Sequence, residues 1–334
     1  MSRLFPARVL ISGGKPLGGV NSFAQALACG FGELGVPAEV VAPSKALLNP
    51  VELRDPTVLK ILSLSSVYAA PLARRTLCVS HGVPCAGHQG WPKMLAVLAS
   101  LRLATAGCGT QLVAVSDYTA QHLRAIFGLR VDAVIRNPLQ PLFFNDAEQI
   151  EIEREAITFV GRLHSSKNVS RLLPAMRDVL DENPGLKAWI IGDGPMLVPL
   201  RRIVGNDRRI LLLGPLDSIQ VRERLRRTRV FISGSPTEPF GIAYLEALSQ
   251  GCAVAMPGSG GGLEIAPEQI GHDIFLFPSS IEREGVAVAL RAGLTASSTG
   301  VKLDAYRARS VAEAYIEIDR RFDSRGEFSS EAQQ

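Results

Sequence analysis

The sequence predicts an α/β protein built from two doubly wound parallel-sheet domains. Short apolar runs alternate with helical segments along most of the chain, which is typical of parallel strands connected by helices. At 334 residues the chain is longer than a usual single domain, and the charged stretch Asp146–Glu155 interrupts the alternation near its middle. We therefore expect domains at 1–147 and 148–300, a C-terminal helix at 301–322 that packs back on the first domain, and a flexible tail at 323–334.

The composition is that of a soluble globular protein. Hydrophobic residues make up 46% of the chain and charged residues 20%, whereas aromatic residues, at 6%, argue against a stacking surface as the main binding device. No secretory signal or membrane span opens the sequence, so we expect a cytoplasmic protein. Five scattered cysteines favour reduced thiols over a disulfide framework.

The net charge of +4 is unevenly distributed. Residues 201–229 contain nine arginines and only three carboxylates. Such a segment fits a phosphate-bearing partner, an anionic membrane surface, or an ordinary solvated helix face, and the sequence leaves these alternatives open.

The first domain opens with a strand, a glycine loop and a helix. Strand Arg8–Ser12 leads through Gly13–Val20 into a helix that ends near Phe31, and Pro37–Ala42 forms the next strand. Gly18 and Gly19 would let a ligand approach the backbone at the helix N-terminus. The loop matches neither the dinucleotide-binding fingerprint nor the P-loop pattern.

The next strand, Thr76–Ser80, ends at His81, a position from which a side chain can reach a ligand at the sheet edge. His81 also belongs to a cluster with Cys78, Cys85 and His88, but a zinc site is disfavoured because Cys78 lies within an apolar strand. The helix near 92–106 is apolar on most sides and is either buried or in contact with an interface or a lipid-bearing substrate. The remaining elements of this half are strands Leu112–Ser116 and Val131–Ile135 and the helix Asp117–Phe127 between them.

The second half repeats the alternation. The predicted strands are Ala156–Val160, Ala188–Ile191, Ile210–Leu213, Val230–Ile232 and Ala253–Ala255, and the predicted helices are Ser170–Leu180, Met196–Val204, Ile219–Thr228 and Gly241–Gln250. Parallel pairing brings the carboxyl ends of these strands to one edge of the sheet. Arg162 and Lys167 follow the first strand there and suit a diphosphate, because arginine offers a fork of donors and lysine a point charge.

Glu238 and Glu246 follow another strand at the same edge. Eight residues within one helix would leave the two side chains about 80° apart, so they are not a simple helical pair. With Glu238 in the loop and Glu246 two turns inside the helix, the carboxylates suit sugar rings at opposite ends of a diphosphate. Alternatively, Glu238 is an acidic residue that caps the N-terminus of the helix, and Glu246 is a solvated residue within it.

These motifs resemble those of retaining GT-B glycosyltransferases of the glycosyltransferase family four kind. The resemblance, firm over residues 156–278, is carried by Gly161-Arg162-Leu163 with Lys167, Gly192-Asp193-Gly194-Pro195, Leu213-Gly214, Glu238-Pro239-Phe240-Gly241 with Leu245-Glu246-Ala247, and Gly260-Gly261 with Glu264. This chain departs from the family at Asn168, where glycine commonly follows the lysine, and in the shortened region 43–76.

The resemblance implies two Rossmann-like domains that face a central cleft, with the donor held mainly by the second domain and the acceptor by the first. The implied catalytic residues are Arg162, Lys167, Glu238 and His81. The implied donor-binding residues are Gly18, Gly19, Gly192, Gly194, Leu213, Phe240, Gly241, Ile242 and Glu246. Glu238 would hold the donor sugar and Glu246 the ribose, and neither a metal nor a cofactor is implied.

We thus expect a retaining, metal-independent hexosyltransferase that moves a sugar from a UDP- or GDP-sugar to a glycan or lipid-linked acceptor. Its expected pathway is cell-surface polysaccharide or lipopolysaccharide synthesis, with peripheral contact with the inner membrane and no nucleic-acid partner. The alternatives are a nucleotide-sugar 2-epimerase of the same architecture and a non-catalytic nucleotide-sugar-binding subunit of a glycan assembly complex.

Overall fold

The computed structural model describes residues 5–14, 18–42, 50–64, 66–83, 90–107, 110–144, 153–297 and 300–331. The chain divides into two compact units. Unit 1 comprises Met1–Pro141 and Asp304–Gln334, and unit 2 comprises Leu142–Leu303. Each unit holds one six-stranded, all-parallel sheet, so the predicted α/β class with two Rossmann-like domains is confirmed.

The sheet of unit 1 has the strand order β2-β1-β3-β4-β5-β6. Its strands are β1 (Arg8–Ser12), β2 (Ala38–Val41), β3 (Val58–Ser63), β4 (Thr76–Ser80), β5 (Thr110–Ala114) and β6 (Ala133–Val134). Its helices before the change of unit are α1 (Gly19–Glu33), α2 (Pro50–Arg54), α3 (Trp91–Gly107) and α4 (Asp117–Phe127). Helix α4 has the predicted bounds because Ser116 caps it, its hydroxyl accepting the Thr119 amide proton at 3.0 Å.

Strand β3 is absent from the sequence prediction. Its run of apolar residues is interrupted by Lys60, whose side chain is buried in the sheet. The Lys60 ammonium donates to the carbonyl oxygen of Arg74 at 2.9 Å and to that of Asp55. These partners replace water, so a lysine can be buried in the middle of an apolar strand.

Helix α3 is buried on one face only, although its sequence is apolar on most sides. Met94, Val97, Leu101 and Ala104 lie against the core of unit 1, but the opposite face is exposed. The core on this side is built from β4, β5 and the 3₁₀ turn Val67–Leu72. None of the helices in the described ranges has the length and apolar character of a membrane span.

The chain returns to unit 1 through its C-terminal helix. This helix runs from Ala308 to Glu331, past the predicted end at Phe322, since the polar residues beyond it include good helix formers. It packs along α1 so closely that a Cβ at Gly30 would lie 2.0 Å from the carbonyl oxygen of Ala308. A buried bidentate pair, Arg75 Nη2 to Asp319 Oδ2 at 2.6 Å and Arg75 Nε to Asp319 Oδ1 at 2.9 Å, holds it there.

Unit 2 has the strand order β12-β11-β10-β7-β8-β9. Its strands are β7 (Ala156–Val160), β8 (Lys187–Ile191), β9 (Ile210–Gly214), β10 (Thr228–Ile232), β11 (Ala253–Pro257) and β12 (Ile274–Phe277). Its helices, in chain order, are Val169–Glu182, Leu197–Val204, Ser218–Arg226, Ile242–Ser249 and Arg283–Thr295. The predicted elements from 156 to 255 are all present, with bounds shifted by one or two residues at most ends.

The core of unit 2 surrounds β7, β8 and β10. The helices Val169–Glu182 and Arg283–Thr295 cover one face of the sheet, and their buried residues include Leu172, Leu173, Met176, Val286 and Leu290. The predicted domain boundary at 147 and 148 differs from the observed change of unit at Pro141 and Leu142. The Leu139 amide donates to the Tyr306 carbonyl at 2.8 Å, which keeps the residues before Pro141 with unit 1.

Candidate functional site

The strand order of unit 2 identifies where a ligand would bind. β7 and β10 are neighbours, but the chain leaves β7 toward β8 on one side and β10 toward β11 on the other. Ligands of doubly wound proteins bind at such a switch point, just beyond the carboxyl ends of the strands. The two loops that start there are 161–168, after β7, and 233–241, after β10.

Lys167 and Glu238 join these two loops. The Lys167 ammonium lies 2.5 Å from Glu238 Oε2 and 3.5 Å from the hydroxyl of Ser235, and both charged side chains keep some solvent access, at 26% and 16%. The structure therefore brings together a predicted phosphate-binding cation and a predicted sugar-binding carboxylate. Ser235 is a contact that the sequence analysis did not identify.

The backbone around this pair is held in place by Asn168. Asn168 has a left-handed φ of 51°, and its side-chain amide donates to the Gly234 carbonyl at 2.8 Å. Asparagine tolerates the left-handed region better than most residues. This explains why asparagine can stand where glycine is usual, and it also links the two loops.

Arg162 precedes Lys167 in the same loop and is exposed. Among the described residues no ion pair to its guanidinium is present. The neighbouring Leu163 is fully buried and anchors the loop, so Arg162 is presented to solvent from a fixed backbone.

Gly192 and Gly194 are explained by packing within the protein. A Cβ at Gly192 would lie 1.9 Å from the Gly161 carbonyl oxygen, and a Cβ at Gly194 would lie 2.4 Å from that of Leu163. Their φ angles of 138° and 152° also disfavour any side chain. The two glycines thus shape the loop that carries Arg162, and a ligand is not needed to account for them.

Leu213 lies apart from this pair. It is half-buried on β9, the edge strand, which β8 separates from β7. The carbonyl of the next residue, Gly214, accepts the Gly192 amide proton at 2.8 Å, so the end of β9 is tied to the loop that follows β8.

The helix Ile242–Ser249 begins directly after the Glu238 loop. Its N-cap, Gly241, has a φ of 95° and offers no side chain to the first amides, and Phe240 beside it is buried. A helix N-terminus without a side-chain cap retains donors for an anion. Ile242 occupies the first turn, so the predicted group of Phe240, Gly241 and Ile242 is assembled at the switch point.

Glu246 lies inside this helix and Glu238 before it, which is the arrangement that the spacing predicts. Burial raises the pKa of the Glu246 carboxyl to about 7. No hydrogen bond or ion pair to this carboxyl is found within the part of the chain that the structure describes. A half-buried acid that titrates near neutral pH is a candidate for ligand contact.

Tyr244 supports the site and was not identified from the sequence. Its hydroxyl donates to Ser233 Oγ at 2.9 Å, and its ring fills the space that side chains at Gly241 and Gly262 would need. Burial and the charge of Glu238 raise the pKa of Tyr244 well above its usual range. A tyrosine three residues into a helix carries no sequence signal for this position.

The loop after β11 packs on the Glu238 loop, as the shared sheet edge predicts. The Gly261 amide donates to the Glu238 carbonyl at 2.7 Å, and the Ser259 hydroxyl to that of Pro236 at 2.8 Å. The backbone that carries Glu238 is therefore fixed from both sides.

In unit 1 the glycine loop follows β1, which adjoins β3 at the switch point of that sheet. Gly18 is the N-cap of α1, and its carbonyl accepts the amides of Asn21 and Ser22. A Cβ at Gly19 would meet none of the described residues within 4 Å, so their packing does not require glycine there. Lys15–Leu17 lie outside the described residues.

His81 follows β4, as predicted, and is held in an apolar setting. Its ring meets Phe23 edge-on with centroids 4.5 Å apart, and its Nε2 is buried with no hydrogen-bond partner among the residues that the structure describes. Burial lowers the pKa of His81 to about 4, with an opposing contribution from Asn137. His81 is therefore neutral at physiological pH.

No group of three or more metal-ligating side chains occurs among the residues described. Cys85 and His88, two members of the predicted Cys/His cluster, lie outside them. Cys78 is fully buried in β4, and burial raises the pKa of its thiol to about 12, which disfavours the thiolate that a metal needs.

The arginine-rich segment is partly neutralised in the structure. Arg209 pairs with Asp207 at 3.0 Å and with Asp181 at 2.7 Å, and Arg227 pairs with Glu155. Arg224 lies over the ring of Trp189, 4.9 Å from its centroid. These contacts favour the solvated-surface interpretation for that part of the segment.

Comparison with known proteins shows which family this site resembles. Residues 143–283, most of unit 2, match the family model for glycosyl transferases group 1. The chain is 28% identical over 187 residues to one of the subunits of human phosphatidylinositol N-acetylglucosaminyltransferase, a match that covers 54% of this chain and 39% of that protein. It is 29% identical over 185 residues to a sulfoquinovosyl transferase of Arabidopsis thaliana, covering 53% and 34% of the two chains. The chain thus spans less than half the length of these relatives.

Two solved structures share the whole architecture. The Anabaena protein HepE, crystallised with UDP and glucose, superposes with a TM-score of 0.66 at 15% identity, covering 95% of this chain and 98% of that chain. WaaG, a glycosyltransferase involved in lipopolysaccharide biosynthesis, superposes with a TM-score of 0.64 at 14% identity and covers 94% of both chains. The match over residues 143–283 thus relates unit 2 to the glycosyl transferases group 1, and the chain has the GT-B fold.

Proposed function

We propose that this protein transfers a hexose from a nucleoside-diphosphate sugar to a glycan or lipid-linked acceptor. The observation that carries the proposal is the Lys167–Glu238 pair at the switch point of unit 2, between Arg162 and the N-terminus of the helix Ile242–Ser249. A sugar diphosphate needs cations and helix amides for its phosphates, and a carboxylate that accepts hydrogen bonds from its sugar hydroxyls.

The proposed chemistry follows from these groups. As the bond between the anomeric carbon and the diphosphate breaks, negative charge grows on the leaving phosphate oxygens. Arg162, Lys167 and the amides that follow Gly241 would stabilise that charge, because they are held by packed backbone before the reaction begins. Gly18 and Gly19 of unit 1 are proposed to let backbone approach the phosphates.

Glu238 would accept hydrogen bonds from the donor sugar, and Glu246 from the ribose. His81, neutral and buried in unit 1, would contact the donor sugar or the acceptor. Because Glu238 is engaged by Lys167, it is poorly suited to act as a nucleophile. We therefore infer retention by front-face attack of the acceptor, with a donor phosphate oxygen as the base and without a metal.

The relatives support the substrate classes. HepE binds UDP and glucose, which favours a UDP-hexose as the donor. Phosphatidylinositol N-acetylglucosaminyltransferase is named after a lipid acceptor, alpha-monoglucosyldiacylglycerol synthase is named after a glycolipid product, and WaaG is involved in lipopolysaccharide biosynthesis. We propose a lipid-linked acceptor in cell-surface polysaccharide or lipopolysaccharide synthesis.

A panel of UDP-, GDP- and ADP-sugars tests the proposal. We expect one of them to raise the melting temperature and to be hydrolysed slowly or transferred, because a ligand that binds only the folded state stabilises it. The same products, separated by chromatography, would reveal C2 epimerisation in place of transfer. If no member of the panel binds, the proposed function fails.

A matched pair of lysine variants locates the site. Lys167→Met should abolish the ligand-induced shift. The control is Lys187→Met. Lys187 belongs to the same unit and also pairs with a glutamate, Glu155, at 2.6 Å. It lies at the start of β8, however, on the opposite edge of the sheet from Lys167. Lys187→Met should therefore bind like the wild type, and equal losses from both variants would contradict the assignment.

A further inference from the structure

Strand β9 is an open edge of the unit 2 sheet. It pairs with β8 on one side, and within the described ranges no strand lies on its other side. An edge strand presents backbone N–H and C=O groups that can pair with another strand, and natural proteins usually protect such edges with charged residues, proline or a covering segment. β9 has the sequence Ile-Leu-Leu-Leu-Gly and contains neither a charged residue nor proline. Leu211 is 37% exposed, and Leu212 and Leu213 are half-buried.

The helices that precede and follow β9 extend this apolar surface. The preceding helix, Leu197–Val204, is packed with the strand in the core of unit 2. Large apolar side chains on the outer sides of the two helices are nevertheless exposed: Val198 at 56%, Ile203 at 42% and Ile219 at 67%. Apolar surface gathered around an unpaired strand marks an interaction site.

The charges around β9 differ between its two ends. The exposed arginines near the amino end, for which no ion pair is present among the described residues, are Arg201, Arg202 and Arg208. Near the carboxyl end lie the exposed carboxylates of Asp193, which follows β8, and Asp217, which follows β9. Asp207, at the amino end, is already paired with Arg209 at 3.0 Å. A copy of β9 placed antiparallel across a two-fold axis would therefore bring the positive end of each strand against the negative end of the other.

The opposite edge of the sheet, β12, lacks this pattern. The Gly271 amide donates to the Ile274 carbonyl at 2.7 Å, so the chain itself occupies the start of that edge. Exposed glutamates lie near both ends of β12, Glu268 before the strand and Glu282 after it. A two-fold pairing through β12 would oppose like charges, which is unfavourable.

We propose that a second copy of this chain pairs with β9, antiparallel and around a two-fold axis, so that the two unit 2 sheets continue into one another. A stable interface buries about 800 Å² on each partner. This is more than a strand of five residues offers, so the interface includes the exposed side chains of the flanking helices. β8 separates β9 from β7, whose loop carries Lys167. The proposal therefore does not depend on the transfer reaction, and it can fail while the proposed function holds.

Sedimentation velocity tests the interface. The wild-type protein should sediment as a dimer, with twice the mass of the 35.9 kDa chain. Leu211→Lys places a charge on the shared edge of each copy and should weaken the dimer at least about tenfold. Leu276→Lys is the matched control, because Leu276 is 38% exposed on β12, the other edge strand. It should sediment like the wild type.

Charge variants and hydrogen exchange give readouts that leave the strand unchanged. Arg208→Glu should weaken the dimer about tenfold, because it opposes two carboxylates at each end of the paired strands. Arg229→Glu, which replaces an exposed arginine of β10, should have no effect. In the wild type the backbone amides of β9 should exchange with deuterium more slowly at high protein concentration than at low, whereas those of β12 should not change.

A wild-type protein that sediments as a monomer overturns the proposal. So does a dimer in which Leu211→Lys and Leu276→Lys behave alike, because the contact would then lie elsewhere on the chain. Exchange of the β9 amides at a rate independent of protein concentration, in a protein that does form dimers, overturns it as well.

Discussion

Replacing Glu238 with glutamine is expected to separate nucleotide affinity from donor-sugar affinity. The Lys167 ammonium lies 2.5 Å from the Glu238 carboxylate, so a bound diphosphate must share that lysine with a negative charge. Glutamine keeps the shape of the side chain and removes the charge. We expect the nucleoside diphosphate to bind the variant more tightly than the wild type, whereas turnover of the sugar donor falls.

The size of the effect follows from the geometry. A phosphate oxygen seated on Lys167 would lie on the order of 5 Å from the Glu238 carboxylate, and the repulsion between them after screening is about 1–2 kcal/mol. Removing it should tighten nucleoside diphosphate binding roughly five- to thirtyfold. An amide accepts weaker hydrogen bonds from sugar hydroxyls than a carboxylate does, so turnover should fall about 100-fold.

Isothermal titration with UDP or GDP, whichever binds, measures the first effect, and donor hydrolysis measures the second. Glu155→Gln is the control, since Glu155 pairs with Lys187 at 2.6 Å just before β7, at the opposite sheet edge. It should change neither quantity. Unchanged or weaker nucleotide binding by Glu238→Gln would show that Lys167 and Glu238 do not flank the diphosphate.

Three further outcomes are expected. Because burial raises the pKa of Glu246 to about 7 from 4.5, the folded state keeps a proton that the unfolded state releases, so the unfolding free energy should fall by about 1–3 kcal/mol between pH 4.5 and 7. Urea unfolding of Glu246→Gln across this range should show no such fall. Because burial lowers the pKa of His81 to about 4 from 6.5, the wild type should lose stability as pH falls from 6.5 to 4, and His81→Gln should lose less over the same acid titration. Gly192→Ala should cost about 3 kcal/mol or more in thermal unfolding. Gly19→Ala, whose Cβ would meet none of the described residues within 4 Å, should leave stability unchanged and weaken donor binding.

Much of the candidate site could be predicted because its signals are local. Strand ends, glycine loops and a capped helix are determined by residues a few positions apart, so the sequence alone locates the loops that carry Arg162, Lys167 and Glu238. The position of Glu246 inside a helix and of Glu238 before it also follows from local spacing.

Other features have no local signal. Strand β3 is absent from the sequence prediction, and the burial of Lys60 within it depends on the carbonyls of Asp55 and Arg74. Tyr244 supports the Glu238 loop through Ser233, and Gly192 packs against the Gly161 carbonyl. The fold brings these neighbours together, and no local pattern in the sequence shows it.

By itself the sequence determined the alternation of strands and helices, the edge on which the polar loops gather, and the family motifs of residues 156–278. Only the tertiary structure decided which loops meet. Lys167 contacts Glu238, 71 positions away, because β10 pairs with β7 across the switch point. The tertiary structure also decided that α3 is buried on one face and exposed on the other, because an apolar helix has no polar face in its sequence to show which side turns outward.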